Sequence, residues 1–221
     1  MTRLPCLLFD SDGTLVDSEI LLADVLGEIL PQFDLPFTAT QYLEEFRGVR
    51  FLTIIETLAK RHDVPLGDRY TALEANMREL MEQRMRAELL PIEGMREALL
   101  ALPDHLKAVV SNGPEKKIRC AMESSGLAPF FEDRLFSAYT LGVWKPDPSL
   151  YRQAGEMMGF TPNKCVVIDD AVVGVIAGLE AGMHVIHFNR FPDEETTPDG
   201  AIAIHHPREL PAVIARLLEK I

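Results

Sequence analysis

Two aspartates two residues apart, Asp10 and Asp12, stand at the end of the apolar run Leu4-Pro5-Cys6-Leu7-Leu8-Phe9. A run of that length and composition reads as a buried parallel strand that stops where the charge begins. Gly13 follows and permits a sharp change of backbone direction. Open α/β sheets bind their ligands at this carboxyl edge. Two like charges held there, with no basic residue beside them in the chain, need a compensating cation. Two later segments end in a similar way. Ser111 and Asn112 follow the apolar stretch Leu106 to Val110, and Asp169 and Asp170 follow Lys164 to Ile168. Lys145 lies in Val143-Trp144-Lys145-Pro146-Asp147-Pro148, where the prolines restrict the loop.

If the three strands are neighbours, four carboxylates, two neutral donors and one ammonium meet at one place. Such an oxygen-rich cluster suits Mg²⁺, which takes about six oxygen ligands including waters. A carboxylate nucleophile, a hard cation and a hydroxyl–amide–ammonium trio together describe phosphoryl transfer. Asp10 would attack phosphorus and form an aspartyl phosphate. Asp12 would protonate the leaving oxygen and then deprotonate the water that breaks the intermediate. Acidic neighbours would raise its pKa and favour that role. Ser111, Asn112 and Lys145 would hold the phosphoryl oxygens.

The elements that must position these groups follow from the hydrophobic period. Leu22, Val25, Leu26, Ile29 and Leu30 recur at helical spacing and stop at Pro31; Phe51 to Ala59 and Leu73 to Met85 repeat the pattern, and a shorter helix is predicted around Thr38 to Phe46. Residues 17–88 therefore read as an α-helical bundle of about four helices, with the methionine-rich faces as its core. From Ile92 the pattern alternates. The spacing predicts a helix over Ile92 to Leu102, strands at Leu106 to Val110 and Arg134 to Ser137, and a helix from Glu115 to Ser125 capped by Gly126. A helix opening at Asp147-Pro148 with Asp as its N-cap follows, then a strand ending at Asp169, a helix from Val172, a strand over Met183 to Phe188 and a closing helix over Pro207 to Glu219. Alternation of this kind predicts a parallel sheet with right-handed crossovers. The expected fold class is α/β: a Rossmann-like, doubly wound core from 1–16 and 89–221, interrupted by a helical cap over 17–88. An insertion after the first strand is expected to lie over that strand's carboxyl end, where a cover opens and closes.

Composition narrows the partners. The 221 residues carry a formal charge of -12, which disfavours nucleic acid and anionic membrane surfaces. No apolar run approaches the roughly 20 residues that span a bilayer. The first residues lack a signal-peptide pattern, and the three cysteines have no metal-type spacing, so a reducing cytoplasm is expected. The expected partner is a small phosphorylated molecule.

Asp10-Ser11-Asp12-Gly13-Thr14-Leu15-Val16-Asp17-Ser18 resembles the first motif of the haloacid dehalogenase-like hydrolase superfamily. Ser111-Asn112-Gly113 is similar to its second motif, Lys145 before Pro146 to its third, and Asp169-Asp170 with Gly174, Gly178, Ala181 and Gly182 to its fourth. The resemblance covers nearly the whole chain, with the helical insert in the place of the family's small cap. It implies a Rossmann-like core, Mg²⁺, and metal ligation by Asp10, the Asp12 backbone carbonyl and Asp170, with Asp169 as a supporting or second ligand. Ala171 departs from the serine often found there, and no role is assigned to it. Phe46-Arg47-Gly48-Val49-Arg50, Ser-Asn-Gly-Pro and Trp-Lys-Pro-Asp-Pro together resemble bacterial phosphatases of the family acting on 6-phosphogluconate and related sugar phosphates, close to the β-phosphoglucomutases. Arg47, Gly48 and Arg50 are therefore candidate substrate contacts in the cap.

Other readings compete. A phosphomutase would share every catalytic residue and differ in returning the phosphoryl group to a sugar hydroxyl. A dehalogenase needs neither Asp12 nor the metal, because halide leaves without a proton. A non-enzymatic phospho-receiver module fits poorly with a large insert beside the phosphorylated residue. The Gly174, Gly178 and Gly182 spacing follows two aspartates and predicts close helix–sheet packing rather than a membrane helix face. His205-His206 reads as a surface turn.

Overall fold

The computed structural model describes residues 4–46, 49 and 51–219. The chain divides into two compact units, Met1–Asp17 with Leu90–Ile221, and Ser18–Leu89. The first unit is built on a six-stranded sheet of β1 (Cys6–Phe9), β2 (Lys107–Ser111), β3 (Leu135–Ser137), β4 (Cys165–Asp169), β5 (His184–Phe188) and β6 (Ile202–Ile204). Every strand pair is parallel, in the order β3-β2-β1-β4-β5-β6. The order reverses between β1 and β4, which makes their carboxyl ends a topological switch point. Register places Phe9 beside Val109 on one side and Ile168 on the other, so the residues that follow all three strands emerge together.

Strands buried on both faces account for the uninterrupted apolar runs. Cys6, Leu8, Ala108, Val110, Val167 and Val185 form part of one core cluster with Tyr151, Ala154 and Val175. The helices of this unit are α5 (Met95–Leu100), α6 (Glu115–Ser124), α7 (Ala128–Phe131), α8 (Ala138–Leu141), α9 (Ser149–Met157), α10 (Val172–Glu180) and α11 (Leu210–Leu218). Local chemistry sets several boundaries differently from the period. Gly94 takes a left-handed φ of 83°, so α5 begins at Met95 rather than Ile92. Asp147 Oδ1 accepts from the Ser149 N–H at 2.8 Å, and the helix starts two residues after this aspartate. Gly126, at φ 69°, follows α6 in the manner of a C-terminal cap.

The second unit contains α1 (Ser18–Ile29), α2 (Ala39–Gln41), α3 (Phe51–His62) and α4 (Arg69–Glu88). A 3₁₀ turn over Leu30–Phe33 takes up the chain at Pro31, and a π-helical turn over Tyr42–Phe46 extends α2. Leu21, Val25, Leu26 and Ile29 of α1 and Leu73, Met77, Met81 and Met85 of α4 are buried, so the methionine face is core. Arg47, Gly48 and Arg50 lie outside the described residues.

Close packing of α10 on the sheet depends on Gly178. A Cβ there would stand 2.9 Å from Val185 Cγ2 and 3.2 Å from Val167 Cβ. Gly178→Ala should therefore destabilise the protein, because overpacking of about 1–3 kcal/mol outweighs the roughly 1 kcal/mol gained in helix propensity. Urea denaturation measures the balance, and an unchanged or raised midpoint would count against this packing.

Candidate active site

β1 delivers Asp10 and β4 delivers Asp169, and the Lys145 ammonium lies between them. Lys145 Nζ donates to Asp10 Oδ1 at 2.6 Å and to Asp169 Oδ2 at 2.8 Å. The Lys145 side chain is 3% exposed, that of Asp169 1% and that of Asp10 12%. Lys145 is held at both ends. Its backbone N–H donates to Asn112 Oδ1 at 2.8 Å and its carbonyl accepts from Asn112 Nδ2 at 3.3 Å, while its ammonium sits 4.9 Å from the centre of the Tyr151 ring. The Asn112 amide thus grips the Lys145 peptide. Ser111 Oγ accepts from the Gly113 N–H at 3.0 Å, which leaves the hydroxyl proton to be donated elsewhere.

Asp169 is fixed by three groups. Tyr151 Oη and Lys145 donate to Oδ2, and the Ala171 N–H donates to Oδ1. Gly174 of α10 leaves the room this carboxylate occupies, since a Cβ there would overlap it. Asp170 is fixed differently. Thr14 Oγ1 donates to Oδ1 at 2.7 Å and accepts from the Asp170 N–H at 3.0 Å. The Asp170 carboxylate fills the space beside Gly13, whose φ is 85°. Asp12 faces a second cation, with Lys117 Nζ of α6 at 2.8 Å from Oδ2. Arg190 makes a two-pronged pair with Asp17, at 3.0 and 3.4 Å.

One oxygen from each of Asp10, Asp169 and Asp170 lies within 4.8 Å of the others. With all three carboxylates ionised, one ammonium leaves a surplus of two negative charges. A divalent cation with a preference for oxygen matches both that surplus and the donor set. His205 and His206 are engaged elsewhere: His205 Nδ1 meets the Asn189 carbonyl, and His206 Nδ1 accepts from the Arg208 N–H at a helix start.

Lys117, Tyr151 and His187 meet Asp12, Asp169 and the Asp170 carbonyl without a signal in the sequence beyond their type, and Thr14 meets Asp170. Each meets its partner across a fold contact that no local pattern encodes. Thr14 belongs to the first motif, and its place there was the one available clue.

Burial acts most strongly on Asp10 and pushes its carboxyl up to about 7; Lys145 pulls against the rise, and Asp169 and Asp12 add to it. For Lys145 burial works downward, but the charges of Asp10 and Asp169 outweigh it and hold the ammonium's pKa well above the usual value. The Tyr151 hydroxyl is likewise pushed well above its ordinary pKa, by burial and then by the Asp169 charge. Because the folded-state value for Asp10 lies above the ordinary 3.8, the stability it contributes is present below about pH 4 and lost as pH rises through about 7. In metal-free protein, the melting temperature should therefore fall between pH 5 and pH 8 by more for the native chain than for Asp10→Asn. Parallel curves for the two proteins would contradict the assignment.

The model of the haloacid dehalogenase-like hydrolase family matches residues 4–182. The 6-phosphogluconate phosphatase of Escherichia coli K12 is 34% identical over 188 residues, covering 85% of this chain and 84% of that protein. Hexitol phosphatase A of the same organism is 27% identical over 208 residues, covering 90% and 89%. A HAD family hydrolase from Deinococcus radiodurans R1, solved with bound phosphate and sodium, superposes with a TM-score of 0.76 at 29% identity, covering 98% of this chain and 97% of its own. With its sheet order, its aspartate-rich switch point and these similarities, the chain belongs to the haloacid dehalogenase-like hydrolase family.

Proposed function

We propose that this enzyme is a phosphatase that hydrolyses a small phosphate monoester, a sugar phosphate such as 6-phosphogluconate, through an aspartyl phosphate on Asp10. The observation that carries this reading is the Lys145 ammonium shared between Asp10 and Asp169 at the mouth of the switch point. A nucleophilic carboxylate needs an adjacent cation to receive a dianionic phosphoryl group, and Lys145 is fixed there in advance. Asp10 attacks phosphorus as the ester P–O bond breaks, and Asp12 gives its proton to the departing alkoxide. Water then attacks the phosphoryl group, Asp12 takes the water's proton, and the Asp10 carboxylate is released with inorganic phosphate. Ser111 Oγ and Lys145 Nζ hold the phosphoryl oxygens, and Asn112 serves by orienting Lys145. Asp10, Asp170 and the Asp12 carbonyl would hold Mg²⁺, with Asp169 in support; the ion would neutralise charge on the phosphoryl group. The E. coli relatives support a phosphorylated carbohydrate as substrate by the activities in their names.

Incubation with a panel of phosphorylated metabolites should release phosphate with Mg²⁺ and lose at least about 100-fold activity in excess EDTA. Asp10→Asn should lower turnover by at least about 10⁴-fold while the chain stays folded. Full activity in that variant, with deamidation excluded by mass spectrometry, would refute the covalent route. Transfer of phosphate within one sugar, without release, would mark a mutase instead.

The helical unit is proposed to supply substrate selection through Arg47, Gly48 and Arg50. Arg47→Ala should raise KM for acidic sugar phosphates about tenfold and leave KM for a neutral aryl phosphate within about twofold. Equal effects on both would remove Arg47 from substrate selection.

A further inference from the structure

His187 is wholly buried on β5, in register beside Asp169 on β4. Its Nε2 lies 3.1 Å from the backbone carbonyl oxygen of Asp170, and its Nδ1 lies 2.8 Å from Thr197 Oγ1. A carbonyl can only accept, so Nε2 carries the proton. In the neutral ring Nδ1 is then an acceptor, and the Thr197 hydroxyl donates to it. The partners thus select one tautomer. Glu195 Oε2, 3.8 Å from Nε2, is beyond hydrogen-bonding distance. In the segment between β5 and Thr197, Asn189 Nδ2 donates to the Glu195 carbonyl at 2.7 Å, and Asn189 Oδ1 accepts from the Phe191 N–H at 3.0 Å.

Asp170 needs such a support. Thr14 fixes its carboxylate and its N–H, and Gly13 makes room for it, but its carbonyl side projects toward β5. The peptide that follows Asp170 is held at its N–H, where Ala171 donates to Asp169 Oδ1, and at its carbonyl by His187; a turn of that peptide would carry the carboxylate with it. We propose that His187 is the positioning residue for Asp170: its Nε2–H fixes the Asp170 peptide, and so the carboxylate that receives the divalent cation, with Thr197 setting the tautomer. This rests on the metal-binding reading of the aspartate cluster. It differs from the usual support of a metal ligand, because the hydrogen bond acts on the ligand's backbone and not on its side chain.

The full chain can be titrated with MgCl₂ by isothermal calorimetry, without any substrate. His187→Leu should raise the Mg²⁺ dissociation constant about 10- to 100-fold. His187→Gln, which carries an amide N–H to about the same distance from the backbone as Nε2, should restore affinity to within about threefold of the native chain. A folded His187→Leu that binds Mg²⁺ as tightly as the native chain overturns the proposal, as does a Gln variant no better than Leu. Should the leucine variant fail to fold, the ¹⁵N spectrum of the native imidazole decides: the Nε2–H tautomer supports the assignment and the Nδ1–H tautomer overturns it. A native chain that takes up no Mg²⁺ would overturn the metal reading itself, an outcome distinct from loss of the His187 role alone.

Discussion

A lysine buried between two aspartates is the contact on which the site depends. Alone, none of the three would remain charged in a place so poorly hydrated. Together, the two carboxylates keep Lys145 charged, while Lys145 only partly offsets burial at Asp10, whose carboxyl still stands at about 7, and further donors hold the arrangement. Tyr151 and the Ala171 N–H fix Asp169, and Asn112 fixes the Lys145 peptide. The remaining negative surplus is not a flaw in the design. It gives the aspartate cluster a reason to take up a divalent ion, and the ion a reason to be at the switch point.

Glycine in this fold is bound up with charge as much as with turning. Gly13 and Gly174 both stand where a carboxylate needs the volume a side chain would fill, one beside Asp170 and the other beside Asp169. Gly178, one helical turn beyond Gly174, faces Val167 and Val185 instead, and serves packing alone. The same spacing along α10 therefore meets two needs, electrostatic near the sheet's edge and steric further down.

Much of the site was legible in the sequence because its residues stand where apolar strands end. Asp10, Ser111 and Asp169 mark those ends by the change from apolar to polar, and the helical insert by its period. Strand order was not legible, since pairing of parallel strands is set by packing between distant segments. β6 escaped notice because three residues, two of them well exposed, carry too little pattern. α7 and α8 are four residues each, below the length at which a period can be seen. The supporting residues were hidden for a related reason. Thr14 meets Asp170 across 156 positions and Lys117 meets Asp12 across 105, while Tyr151 and His187 reach theirs from 18 and 17 positions away, on a different element each time.

The central place of β1 has a consequence for how the molecule is made. During synthesis β1 leaves the ribosome ahead of both its neighbours, which begin at Lys107 and Cys165. The intervening helices depend on near contacts and can form early, whereas Cys-Leu-Leu-Phe must wait, apolar and unpaired, until β2 has followed at Lys107–Ser111. Asp10 acquires its lysine only after that delay, and the centre is complete only when β4 brings Asp169 and Asp170 to it. A nascent chain released early would expose this sticky tetrapeptide, a natural target for chaperones.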